Sequence, residues 1–126
     1  MTAKVVDASA AGALLFGEPD AALVASRLTN ATLAAPGLLP FEMANICLKK
    51  IRRHPAQRDQ LIAAFALLPS LGIAISEVDH DETLKLAERT TLTAYDASYL
   101  WLARRLAAEL VTLDNRLKSV AATLIP

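Results

Sequence analysis

Residues 5–10 read VVDASA, a short apolar run that stops on an aspartate. An acid at that point has two readings: it caps the helix that follows, or it forms one wall of a charged site. Residues 109–114, ELVTLD, end in the same way, with Asp114 closing an apolar run. With 4–7 (KVVD), 31–35 (ATLAA), 73–76 (IAIS) and 110–113 (LVTL) as strand candidates, longer stretches of helical spacing separate each from the next. Strands alternating with helices predict a parallel sheet.

The helices are expected over roughly 8–16, 19–29, 38–53, 56–68, 80–90, 94–108 and 115–121, from apolar spacing and the breaks at Gly17, Pro19, Pro36, Pro55, Pro69 and Gly72. The architecture that follows is an α/β three-layer sandwich. A central, mostly parallel sheet of four to five strands lies between helices, and residues 1–126 form a single domain with no repeat, linker or low-complexity segment.

Composition narrows the function. Lysine plus arginine matches aspartate plus glutamate at 13 each, so any nucleic-acid contact must come from local clustering of charge. At 54% hydrophobic the chain holds more apolar material than a core of this size needs, which leaves some to face a partner. The single cysteine, Cys47, excludes an internal disulfide and fits a reduced, cytoplasmic setting. MTAKVVDAS is not a secretory leader, and Pro36, Pro40, Glu42 and Pro69 interrupt every long apolar stretch, so no membrane span is expected. No serine-nucleophile motif, phosphate-binding glycine loop or dinucleotide fingerprint occurs.

Ligands of open parallel sheets gather beyond the carboxyl ends of the strands. Asp7 and Asp114 fall there. Glu42, in LLPFEMANI, and Asp96, in TAYDASYLW, lie near the starts of helices entering from the same edge. At an effective dielectric near 20, two carboxylates about 5 Å apart repel by roughly 3 kcal/mol, so four acids together call for protons or a cation. Oxygen donors with no cysteine or histidine beside them select Mg²⁺, with Mn²⁺ a substitute, over Zn²⁺. Carboxylate-held metal at such an edge points to phosphodiester hydrolysis.

Each acid also has a plain structural reading. Asp7 and Asp114 suit the N-cap position, and Thr93 with Asp96 three residues later matches a capping box. Glu42 resists that account, because a helix entering the core there prefers leucine or alanine. On a wheel of 42–53, Glu42, Asn45, Lys49, Arg52 and Arg53 share one stripe, with Met43, Ala44, Cys47, Leu48 and Ile51 opposite. That stripe is either a solvated face or a basic rail for a nucleic-acid backbone, and Arg104, Arg105, Arg116 and Lys118 carry the same two readings. Tyr95, Tyr99 and Trp101 fall on one helix, where packing is expected over base stacking, and His54 and His80 are expected at the surface.

The quoted motifs resemble those of PIN-domain ribonucleases of the VapC toxin type, nearly end to end. VVDASA is similar to the family's opening strand, its first acid and the serine two residues on, here Asp7 and Ser9. PFEMANICLK is similar to the second motif, with Glu42 and Asn45; LTAYDASYLWLA and LVTLDNRL carry the third and fourth acids, Asp96 and Asp114, with Thr112 as the small hydroxyl residue before the last.

The resemblance implies a Mg²⁺-dependent endoribonuclease that leaves 5′-phosphate and 3′-hydroxyl ends on its RNA substrate. It implies that Asp7, Glu42, Asp96 and Asp114 hold the metal directly or through waters, with Ser9, Asn45 and Thr112 orienting them. A homodimer is implied, and so is a small antitoxin laying a helix in an apolar groove. Some members carry a further acid two residues after the fourth; Arg116 stands there in this chain, which favours one metal. Two other classes fit more loosely. A receiver-like signalling domain would need paired acids after the first strand and a lysine near the last, and a non-catalytic RNA- or protein-binding module would keep the fold alone.

Overall fold

The structure, a computed structural model, describes residues 2–125. Valines dictate the first strand, β1 (Thr2–Val6), whose Val5 and Val6 are wholly buried, as a strand covered on both faces requires. It is followed by α1 (Ala8–Leu15) and α2 (Ala21–Leu28), then β2 (Ala31–Pro36), α3 (Leu39–Arg53) and α4 (Arg58–Phe65). The chain continues through β3 (Ile73–Ser76), α5 (His80–Thr90), α6 (Ala94–Arg105), β4 (Glu109–Val111) and α7 (Asn115–Leu124).

All four strands are parallel, in the order β3-β2-β1-β4. This is not the 2-1-3-4-5 order of receiver domains. Right-handed crossovers put α1 to α4 on one face and α5 and α6 on the other, giving three layers. Alanines at 8, 10, 11 and 13 let α1 lie flat in the core, and Gly12 lets Ile46 of α3 approach it closely; a Cβ at Gly12 would meet Ile46 at 3.4 Å. On the other face α6 crosses β1, β2 and β4, burying Leu100, Leu102 and Ala103. Among the described residues, no helix is long and apolar enough to cross a membrane.

Several boundaries differ from those expected, the first strand running Thr2–Val6 and the last helix reaching Leu124, and three of the differences have a visible cause. The helix over 56–68 is broken into a 3-10 turn at Pro55–Gln57, α4, and a second 3-10 turn at Leu68–Leu71, because Pro55 and Pro69 have no N–H to give and Gly72 ends the run at φ +69°. The helix over 94–108 stops at Arg105, where Ala107 turns left-handed (φ 50°) and the Ala108 N–H closes back onto the Ala103 carbonyl at 2.8 Å. The last strand ends at Val111 rather than residue 113, since the N–H groups of Leu113 and Asp114 bond to side chains instead of a neighbouring strand.

Candidate active site

The strand order reverses between β1 and β4: the chain builds outward from β1 through β2 to β3, then returns to add β4 on the other side. Such a switch point opens a crevice beyond the carboxyl ends of its two strands. Asp7 follows β1 and Asp114 follows β4, and the Asp7 N–H bonds across to the Val111 carbonyl at 3.2 Å.

Asp7 is 5% exposed and cross-braced. Its Oδ1 accepts from the Ala10 N–H of α1 at 3.0 Å and from the Ser9 hydroxyl at 2.7 Å, and its Oδ2 accepts from the Thr112 hydroxyl at 2.5 Å. Ser9 in turn accepts the Leu113 N–H at 2.9 Å, and Thr112 accepts the Asp114 N–H at 3.0 Å. Two short hydroxyl side chains thus fasten the loop after β4 to the first acid. Asp114 caps α7, accepting the Leu117 N–H at 2.9 Å. Capping is therefore real for both aspartates, and it does not use up Asp7, whose second oxygen faces Thr112.

Glu42 and Asp96 arrive on helices from opposite faces of the sheet. Glu42 is in the first turn of α3, and its Oε1 accepts from the buried Tyr99 hydroxyl of α6 at 2.7 Å. Asp96 is in the first turn of α6, where Thr93 accepts its N–H at 3.1 Å; the capping bond goes to the Asp96 backbone, and among the described residues no hydrogen bond takes up its carboxylate.

The electrostatics bind the four into one site. Burial pushes the Asp7 carboxyl above its ordinary value and the Asp114 charge adds to this, while Thr112, Ser9 and Ala10 oppose it without cancelling it. Glu42 is raised by burial and by the charges of Asp96 and Asp7, against the Tyr99 hydroxyl. Asp96 is raised by burial, then by Asp114 and Asp7, with the Arg116 guanidinium a partial offset. The Tyr99 phenol is itself pushed up by burial and by the neighbouring Glu42, which keeps it a donor.

Among the described residues, no three His, Cys, Asp or Glu side chains stand close enough together to ligate one ion directly. The donor set still suits Mg²⁺, which is commonly held by one or two carboxylates and keeps several waters that more distant acids can reach. It suits Zn²⁺ less, since zinc sites are built chiefly on cysteine and histidine and neither is among these four residues.

The remaining candidates divide. Ser9 and Thr112 join the site. Asn45, Lys49, Arg52 and Arg53 are exposed along α3, the arginines lying about 16 Å from Glu42 at 1.5 Å per residue. Lys50, between them, instead pairs with Glu18 at 2.8 Å and lies over the Phe16 ring at 5.5 Å. The apolar face of α3 is rotated from the wheel: Met43 and Cys47 are buried with Ile46 beside them, but Ala44 and Leu48 are exposed and continue a surface stripe from Phe41, itself 80% exposed. Contact with α1 and α4, not the helix's own periodicity, decides which residues are covered. Arg116 donates to the Thr91 carbonyl at 3.0 Å and to its hydroxyl, pinning the α5–α6 turn.

Sequence reasoning missed Tyr99 as a site residue and took Tyr95 as packed. Tyr99 stands three residues after Asp96 on one helix face, a spacing that could have flagged it. Tyr95 is 66% exposed.

Comparison with known proteins bears on the family and the fold. A profile for the PIN domain matches residues 4–123. Ribonuclease VapC3 of Pyrobaculum aerophilum is 32% identical over 118 residues, 90% of each chain. The crystal structure of PAE2754, also from Pyrobaculum aerophilum, superposes with a TM-score of 0.78 at 26% identity, covering 98% of this chain and 93% of that one. A parallel sheet with acids gathered at its switch point, matched along nearly its whole length, belongs to the PIN-domain family, among the proteins of the VapC type.

Proposed function

We propose that this chain is a metal-dependent endoribonuclease and the toxin of a toxin–antitoxin pair. The observation that carries the reading is the convergence of Asp7, Glu42 and Asp96 on the switch-point crevice with Asp114 beside them, each of the three carboxyls raised above all by burial and further by at least one neighbouring acid. Buried like charges offset only in part, by Arg116 near Asp96, raise the energy of the folded chain unless protons or a cation neutralise them. A relative named as a ribonuclease supports RNA as the substrate.

The chemistry supplied by a bound Mg²⁺ or Mn²⁺ is the activation of a water and the offsetting of charge on the scissile phosphate. The residues do the rest. Asp7, Glu42, Asp96 and Asp114 would hold the ion, some through its waters. Ser9 and Thr112 fix the Asp7 carboxylate, and Tyr99 fixes Glu42, so little reorganisation is needed when substrate arrives. Lys49, Arg52 and Arg53 give the RNA backbone a cationic track along α3. Water attack on phosphorus leaves 5′-phosphate and 3′-hydroxyl ends.

An antitoxin has a surface to use. Phe41, Ala44 and Leu48 run along α3 beside an apolar cavity of about 560 Å³ lined by Leu39, Phe65, Leu68, Ile73 and Ile75, the shape of surface that takes an amphipathic helix. A homodimer in the cytoplasm completes the reading.

The test is cleavage of a mixed RNA pool by antitoxin-free protein with Mg²⁺, with Mn²⁺, with chelator, and by Asp7→Asn. Metal-dependent cuts bearing 5′-phosphates, lost in the variant, are expected. Cutting that survives chelation, or a variant that cuts normally, would sink the four-acid mechanism.

A further inference from the structure

Beside the acids lies a second cavity, of about 360 Å³, between the entry to α3 and the first turns of α5 and α6. It shares two walls with the acid site. Leu38 leads into the helix that carries Glu42, and Tyr95 directly precedes Asp96. On α6, Asp96 and Tyr99 are three residues apart and belong to the acid site; Tyr95 and Ser98 have the same spacing, about 100° round the helix, and line the cavity. A strand with one phosphate at the acids would carry a neighbouring nucleoside toward this side of α6.

Three observations say what the cavity takes. Its volume lies within the roughly 300–1,000 Å³ of small-molecule sites. Tyr95, at its rim, leaves 66% of its surface in water, where an aromatic face serves single-stranded RNA as a stacking platform. Thr83, on its wall, is 5% exposed, and its hydroxyl is the one buried side-chain polar atom among the described residues with no hydrogen-bond partner. The hydroxyl is closed to water as it stands, so it reaches a base edge, which offers both donors and acceptors, by turning about χ1 between the two rotamers open to a helical threonine. His80 adds a second polar group to the lining.

We propose that this cavity is a base-recognition subsite: it receives the nucleobase next to the scissile phosphate, stacked on Tyr95 and read at its edge by Thr83 and His80. The proposal rests on the nuclease reading for its substrate and deepens it, since it makes cleavage dependent on the base beside the cut.

Binding is measured first in an Asp114→Asn background, with Mg²⁺, by anisotropy of labelled short single-stranded RNAs that differ at one base. Tyr95→Ala is expected to weaken binding about tenfold. Thr83→Val is expected to keep overall affinity while losing a discrimination of about fivefold between bases, with Tm equal to or above that of the parent because an unpartnered hydroxyl is removed. With the acids intact, sequencing of cut ends is expected to show a base preference at the position beside the cut, relaxed in both variants with end chemistry unchanged. Unchanged affinity, discrimination and cut sites in both variants would overturn the subsite, and so would a parent that binds no RNA. Weakened inhibition by the antitoxin with RNA binding intact would give the cavity to the protein partner and overturn it too. Variant effects on binding in a chain that never cuts would support the subsite and defeat the nuclease reading, so the two fail separately.

Discussion

The two ends of the sheet treat charge in opposite ways. At the amino end, Glu109 at the start of β4 meets Lys4 of β1 at 3.4 Å and Arg27 at the end of α2. Burial works against its ionisation, but the two cations outweigh it and hold the Glu109 carboxyl below its ordinary value. At the carboxyl end, Asp7, Glu42 and Asp96 gather with Asp114 and are pushed above theirs. One end uses opposite charges to stabilise the fold; the other buries carboxyls beside like charges at a cost, the difference expected between a structural ion pair and the proposed cation site.

The sharpest way to break this comparison is Asp7→Asn. Loss of residues that merely orient metal ligands typically costs about 10–100-fold, so removing a ligand should cost cleavage at least about 10²-fold. Asparagine can still accept the Ala10 N–H as an N-cap, and one like charge leaves the cluster, so the metal-free Tm should stay level or rise. A variant that loses the fold would show that Asp7 is there for α1 alone.

Tyr99→Phe comes next. It removes the hydroxyl that holds Glu42 from across the sheet and leaves the ring in place, so about a tenfold loss of cleavage is expected, with roughly 1 kcal/mol of stability. Loss of stability alone, with kcat/KM unchanged, would make the bond structural and take Glu42 out of the site.

The carboxyl end should also reverse the usual acid response. Asp7, Glu42 and Asp96 have folded pKa values raised above the ordinary 3.8 and 4.5, so the folded state binds protons more readily than the unfolded one. Their contribution is fully present below those ordinary values and is lost as pH rises through the raised ones. In chelator, Tm should therefore climb as pH is lowered from neutrality toward the ordinary carboxylate values, and added Mg²⁺ should raise Tm more at neutral pH than in acid. A chelated Tm that falls over that window would mean the acids are not strained against one another.

How much of this was legible in the sequence follows from what each feature depends on. Asp7 and Asp114 could be placed because an apolar run that stops on an acid marks a strand end, and Glu42 and Asp96 because proline and threonine mark helix starts. The strand order that joins them is not written locally; only the alternation of strands and helices is. The braces were out of reach for the same reason: Thr112 bonds Asp7 across 105 positions and Tyr99 bonds Glu42 across 57. On α3 the wheel found the polar stripe but misplaced Ala44 and Leu48, since a helix's period says which residues share a face and not which face its neighbours cover. Tyr95 was misjudged likewise, since it stands exposed at the rim of a cavity between the end of β2 and the start of α5.

The smallest expected effect tests whether the two ends are independent. Glu109→Gln removes a charge from the amino-end set, yet its side chain is 44% exposed, so solvent screens the pair and the loss should not exceed about 1 kcal/mol, a Tm change of about 4 °C or less. Its pH sign is opposite to that of the acids: with the folded pKa depressed, the contribution is present above the ordinary carboxylate value and is lost as pH falls through the folded one. The variant should accordingly fall below the parent at neutral pH and converge with it in acid, with kcat/KM for RNA unchanged throughout. A change in cleavage would be informative, because Glu109 and Asp7 sit at opposite ends of the short paired segments of β1 and β4. It would mean that register between those two strands, and not the acids alone, sets the geometry at the switch point.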